Sequence, residues 1–84
     1  MFSIDVVAFG KISEYLPESF ELKIDTQDES ITINQALKMI ATHYPTAVQA
    51  LDKCACAIED KIVTRKDTIS KSDQLVLLSP VAGG

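Results

Sequence analysis

The chain has no tryptophan, one histidine, two cysteines, three glycines and three prolines among 84 residues, and each scarcity removes a class of function. No apolar run is long enough to span a bilayer, and the opening Met-Phe-Ser-Ile-Asp lacks the basic, then long apolar, pattern of a secretory signal. A cytoplasmic location with no membrane partner is expected. Basic residues are also few: eight Lys and Arg against twelve Asp and Glu give a formal charge of −4, with no cluster able to neutralise successive phosphates. Nucleic acid is therefore not an expected partner. Glycine occurs only at positions 10, 83 and 84, so neither a phosphate-cradling loop nor a Gly-x-Ser-x-Gly nucleophile elbow can be built. The chain is expected to bind no nucleotide, metal or other cofactor itself.

The few residues that could do side-chain chemistry have simpler uses. His43 falls near the end of an amphipathic helix, where an imidazolium suits the helix dipole better than it would serve as a general base. Cys54 and Cys56, two apart in a strand, share one face at roughly 6.6 Å, too far for an unstrained disulfide. With one distant histidine and no second cysteine pair they fall short of a zinc signature, and buried, inert thiols are expected. Glu14, Glu18 and Glu21 are scattered over a loop and the polar face of a strand, which makes them solvated charges rather than an acid pair.

What is present is the pattern of one small α+β domain. Ile4, Val6 and Ala8 alternate with Ser3, Asp5 and Val7 in a first strand over 2–9. Gly10 ends it, and a short helical connection over 11–16 stops at Pro17. Phe20, Leu22 and Ile24 alternate with Glu21, Lys23 and Asp25 in a second strand. Thr32 followed by Gln35 forms a capping box, and Ile33, Ala36, Leu37, Ile40, Ala41 and Tyr44 recur at helical spacing until Pro45. A turn or two of helix over 46–51 precedes strands at 54–58, 61–65 and 74–79, with Glu59-Asp60 as a hairpin turn and Lys71-Ser72-Asp73 as a polar one. The expected architecture is a β-grasp: a mixed sheet of about five strands, one face covered by one main helix, over residues 1–80.

One helix covers one face. On the other, Val7 and Phe9 share the parity of Ser3 and Asp5, and Val76 and Leu78 that of Gln74, leaving an apolar patch beside the chain end. Such a patch marks a protein-binding surface, unless the short connections and second helix fold over it.

The ending is the most informative feature. Val81-Ala82-Gly83-Gly84 follows an apolar strand, and glycines without a Cβ can lie extended in a channel too narrow for ordinary side chains. Four extended residues reach roughly 13 Å, enough to carry an end group into another protein's active site. A carboxylate is a poor electrophile until activated, for instance as a mixed anhydride with AMP. Sulfur donation would then yield a thiocarboxylate, a soft nucleophile tethered to a carrier.

Ser79-Pro80-Val81-Ala82-Gly83-Gly84, preceded by the Lys71-Ser72-Asp73-Gln74 turn and Leu75-Val76-Leu77-Leu78, resembles the ending of the molybdopterin synthase small subunits, which are ubiquitin-like sulfur carriers. The likeness extends through Val7-Ala8-Phe9-Gly10-Lys11-Ile12, Thr32 to Leu37 and Ile58 to Val63. It implies that Gly84 is adenylated by a ubiquitin-activating-like enzyme that uses ATP, takes sulfur from a donor protein, and enters the large synthase subunit. There the sulfur would pass to cyclic pyranopterin monophosphate in molybdenum cofactor synthesis. It further implies a heterotetramer in which the large subunit supplies the catalytic side chains. In this reading residues 81–84 are a flexible tail with Gly84 as its reacting end, Pro80, Val81, Ala82 and Gly83 run in the partner's channel, and Phe9, Ile62 and Leu78 make the apolar interface. Ser79 stands where the family often has a proline, and Ser13 where it often has arginine. The sulfur carrier of thiamine thiazole synthesis and a ubiquitin-like protein modifier share the fold and diglycine and remain alternatives.

Overall fold

Alternation along the first strand sets the architecture. In the computed structural model, which describes residues 1–71 and 73–79, strand β1 (Phe2–Phe9) buries Ile4, Val6 and Ala8 and leaves Asp5 and Phe9 exposed. Strand β2 (Ser19–Ile24) pairs with it antiparallel, setting Leu22 opposite Ile4 and Phe20 opposite Val6. A short strand β3 (Ser30–Thr32) leads into helix α1 (Ile33–His43). After a 3-10 turn at Pro45–Ala47 come helix α2 (Val48–Lys53) and strands β4 (Ala55–Ile58), β5 (Lys61–Val63), β6 (Thr68–Ser70) and β7 (Gln74–Leu78).

The main sheet has the order β2-β1-β7-β4-β5, so the last strand lies at the centre. It runs parallel to β1, with Val6 beside Leu75 and Ala8 beside Leu77, and antiparallel to β4, with Cys56 beside Leu77. This is the β-grasp arrangement of the α+β class. Its covered face meets Ile33, Ala36, Leu37 and Ile40 of α1 in one buried cluster, which Ile12, Leu16, Ala47 and Leu51 also join. The turns and α2 therefore pack on the α1 side and leave the opposite face open.

Local chemistry fixes each helix end. The Thr32 Oγ1 accepts from the Gln35 N–H at 3.1 Å and the Gln35 Oε1 accepts from the Thr32 N–H at 2.9 Å, a complete capping box. The next two free donors of the first turn, Ile33 N–H and Asn34 N–H, reach Asp67 O at 2.8 Å and Arg65 O at 3.0 Å. At the far end of α2, the Arg65 Nη2 donates to Leu51 O, Asp52 O and Cys54 O at 2.8, 3.2 and 3.1 Å, satisfying carbonyls that the helix leaves free.

Several boundaries differ from the sequence expectation. The connection after β1 is a 3-10 turn, Gly10–Glu14, rather than an α-helix. Strand β4 begins at Ala55 rather than Cys54, and β5 stops at Val63 rather than Arg65. The reason is competition for the backbone: the Asp67 carboxylate takes the Thr64 N–H at 2.7 Å, and the Arg65 side chain turns to α2. The same device recurs six residues on, where the Asp73 carboxylate takes the Ser70 N–H at 2.9 Å. Between the two turns lies β6, which pairs with β3 in a second, two-stranded sheet absent from the sequence reading.

Candidate functional site

The open face of the main sheet is built from the residues that alternate with the core. One cross-strand row runs Val7, Val76, Ala57, Ile62 over four adjacent strands, and the next runs Phe9, Leu78, Ala55. Phe9 and Ile62 are 54% and 70% exposed, unusual for side chains of that size, while Val7, Val76 and Leu78 are half-buried. Ala57 is buried, yet it stands apart from the main core cluster. Phe9 and Leu78, expected as interface residues, are register partners. Ile62 shares their face on the edge strand, one row away, joined to them through Ala57 and Val76. The opposite end of this face is acidic and polar, with Asp5 between Glu21 and Gln74. The apolar half is the half at which β7 ends.

The root of the tail is held at that same end. Ser79 N–H donates to Phe9 O at 3.2 Å, and the Ser79 Oγ accepts from the Ile12 N–H. Gly10 has φ of 80°, and a Cβ there would lie 3.3 Å from the Ser79 Cβ, so the glycine serves both the turn and the close approach. Ser13 Oγ donates back to Gly10 O at 2.7 Å, bracing the corner. The tail residues Pro80, Val81, Ala82 and Gly83 and the expected reacting residue Gly84 lie outside the described residues.

The sequence profile of the ThiS family matches residues 6–84, nearly the whole chain. The chain belongs to the ThiS family. Among curated protein sequences none matches significantly, but solved structures extend the likeness. SAMP1 from Haloferax volcanii superposes with a TM-score of 0.78 at 18% identity, covering 98% of this chain and 99% of its own. A Pyrococcus furiosus protein described as molybdopterin converting factor subunit 1 gives 0.79 at 12% identity, covering 96% and 100%. The protein–protein complex of subunits 1 and 2 of molybdopterin-converting factor from Helicobacter pylori contains a chain at 0.67 and 25% identity, covering 99% and 100%. The fold is thus shared with a small archaeal modifier protein and with first subunits of molybdopterin-converting factors.

In this ThiS-family protein the side-chain thiols are removed from any exposed chemistry. Cys54 and Cys56 are free and each 2% exposed. Cys54 Sγ donates to Leu51 O at 3.3 Å. Its thiol is pushed far up, first by the neighbouring Cys56 sulfur and then by burial, and the same neighbourhood lowers Cys56. Among the described residues no group of three or more His, Cys, Asp or Glu side chains could hold a metal ion. His43 is the last residue of α1 and is exposed, at the helix end where the sequence placed it. No described helix is long and apolar enough to cross a membrane.

One feature of the surface had no signal in the sequence. Lys11 and Tyr15 after β1 face Gln49 and Lys53 of α2 across a cleft of about 390 Å³ that reaches Ser79. These residues are some forty positions apart, and only the packing of α2 against the 3-10 turn brings them together.

Proposed function

We propose that this protein is the sulfur-carrying small subunit of a molybdopterin synthase. The observation that carries the reading is the coincidence, at one end of the sheet, of the Phe9, Leu78 and Ile62 patch with the strand that feeds Pro80-Val81-Ala82-Gly83-Gly84. An apolar face holds a partner while the slender tail enters that partner's active site. The Helicobacter pylori complex of subunits 1 and 2 supports a large-subunit partner, and the heterotetramer follows from the family likeness.

The chemistry takes place on Gly84 and needs no side chain of this protein. A carboxylate oxygen of Gly84 attacks the α-phosphorus of ATP in the activating enzyme, forming the acyl adenylate and releasing pyrophosphate. The outer sulfur of a donor persulfide adds to the acyl carbon and AMP leaves with the bonding pair; a second thiol then attacks the donor's inner sulfur, forming a disulfide with it and releasing the Gly84 thiocarboxylate. In the large subunit the thiocarboxylate sulfur forms a C–S bond at a side-chain carbon of cyclic pyranopterin monophosphate as an oxygen substituent departs with the C–O bonding pair, and hydrolysis of the acyl–sulfur bond leaves the sulfur on the pterin and returns the Gly84 carboxylate. The large subunit supplies the acid–base groups for that step.

A second reading, a protein modifier, draws on the likeness to a small archaeal modifier protein from Haloferax volcanii. A carrier's end becomes a nucleophile through sulfur; a modifier's stays an electrophile until a lysine amine attacks it. Intact-mass analysis after incubation with the activating enzyme, ATP and a sulfur donor decides between them. The expected product is heavier by one oxygen-to-sulfur exchange and is retained on organomercury gel even when Cys54 and Cys56 are both alanine. Lysine conjugates, or retention that depends on those cysteines, would overturn the carrier. Deleting Gly84 is expected to abolish transfer and leave the circular dichroism unchanged.

A further inference from the structure

The two edges of the main sheet are unlike. Strand β5 closes one edge with three residues, a short template for further pairing, whereas β2 lines the other with six and pairs only with β1. Neither a proline nor a bulge interrupts Ser19–Ile24. The end of α1 flanks this edge without closing it, because a cleft of about 320 Å³ lies between them, lined by Phe20, Leu22, His43 and Tyr44.

The ladder on the inner side of β2 decides which backbone groups its outer side offers. In an antiparallel pair the N–H and C=O of one residue both point to the partner strand, and those of the next residue both point away. The Ala8 N–H donates to Glu18 O at 2.9 Å, so in the same register Phe20, Leu22 and Ile24 bond to β1, and Ser19, Glu21 and Lys23 present their backbone groups outward. The side chains of these three residues are exposed as well. Glu21 stands directly beside Asp5 of β1, a like-charged pair that costs stability, while Lys23 stands beside the neutral Ser3.

We propose that this edge receives a second copy of the chain, joined β2 to β2 and antiparallel, about a two-fold axis between the two Leu22 residues. The outward backbone groups pair only in registers that set odd-numbered residues opposite odd-numbered ones. A register centred on Glu21 or on Lys23 opposes that residue to itself, charge against like charge. A centre at Phe20 or Ile24 leaves at least half of the strand unpaired. The register centred on Leu22 places Glu21 opposite Lys23 of the second copy and, by symmetry, Lys23 opposite Glu21 of the second copy. Each open-face row then runs Asp5, Glu21, Lys23, Ser3 across the junction, and a cation arrives where two carboxylates lay side by side. Two five-stranded sheets become one, and the tail roots, at the ends of strands parallel to β1, leave it in opposite directions. The contact is independent of the carrier reading and lies at the far edge of the sheet from Ile62.

The test is sedimentation equilibrium of the full chain over a concentration series reaching the millimolar range, with amide exchange followed on the same samples. The apparent mass is expected to climb from that of one chain toward that of two, and exchange at the Glu21 and Lys23 N–H groups to slow in step. Glu21→Lys and Lys23→Glu each set like charges opposite one another twice across the junction, and each is expected to raise the dimer dissociation constant about tenfold or more. An equimolar mixture of these two variants, and the double exchange Glu21→Lys with Lys23→Glu, restore opposite charges and are expected to associate within about threefold of the wild type. Glu21→Pro removes an outward donor that the single chain does not use, so it is expected to abolish association and leave the circular dichroism unchanged. A wild type that stays monomeric throughout the series overturns the proposal. Association that survives Glu21→Pro, or that is lost in Phe9→Asp instead, overturns the edge as the contact. A mixture that associates no more tightly than its two components overturns the register.

Discussion

The two faces of the main sheet are made by the same strands and differ only in which residues of each pair they take. The covered face takes Ile4, Val6, Ala8, Leu75, Leu77 and Cys56, all at most 3% exposed. The open face takes Val7, Phe9, Val76, Leu78, Ala57 and Ile62, nearly as apolar a set, yet Phe9 and Ile62 remain largely in water. Where a face has no internal partner, alternation usually places polar residues on it. Here only the end around Asp5 and Glu21 follows that rule. The covered face accounts for the fold, while the apolar half of the open face is left without an internal use, which is the signature of a surface that another molecule completes.

That contrast can be broken first on the covered face, where the largest effect is expected. Leu77→Ala should cost about 2–5 kcal/mol, because β7 is flanked on both sides and the site cannot collapse around the void. Urea unfolding measures it, and a loss below about 1 kcal/mol would mean the central strand is not the keystone described. On the open face the order reverses. Phe9→Asp and Leu78→Asp should each weaken the large-subunit complex by about 1–2 kcal/mol, while unfolding shifts less than for Leu77→Ala. Calorimetric titration showing unchanged affinity for both would remove this patch from the interface. The smallest effect is expected at the corner where the faces meet: Ser79→Ala should cost about 1 kcal/mol, since it leaves the Ile12 N–H without its acceptor. Amide exchange at Ile12 should speed up selectively, and unchanged protection would show that the hydroxyl contact does not matter in solution.

The sequence carried the strongly periodic elements. Strand β1, strand β2 and the capped start of α1 were legible because each has at least three residues of one parity or one helical face, and Thr32 with Gln35 announces the cap in the order that the hydrogen bonds follow. Strands β3 and β6 were not, because each has three residues and only one buried side chain, Ile31 and Ile69, too short a run for alternation to register. Their existence depends on the Thr64–Asp67 and Ser70–Asp73 turns, whose bonds are visible only once the chain is folded. Of the candidate site, the parity of Phe9 and Leu78 was readable from residue types. Their side-by-side register was not, since it depends on the parallel pairing of strands more than sixty residues apart. The hold of Gly10 and Ile12 on Ser79, and the lysine cleft beside it, needed tertiary structure for the same reason. The Glu59-Asp60 turn was legible, but not its backbone: Glu59 sits at φ of 59°, a conformation that a glycine would have advertised.

The place of β7 between β1 and β4 also bears on how the chain comes into being. Until residues 74–78 arrive, the β1–β2 and β4–β5 hairpins have no strand to join them, and the apolar edges of both stand open. Closing the sheet requires a contact between the two ends of the polypeptide, the slowest kind to form because the whole intervening loop must be gathered first. During synthesis the domain therefore stays unfinished until β7 has emerged. A chain cut short before β7 loses the scaffold and the tail together. On the proposed carrier reading, folding would act as its own inspection, because a chain able to close its sheet has been translated through Leu78 of the central strand.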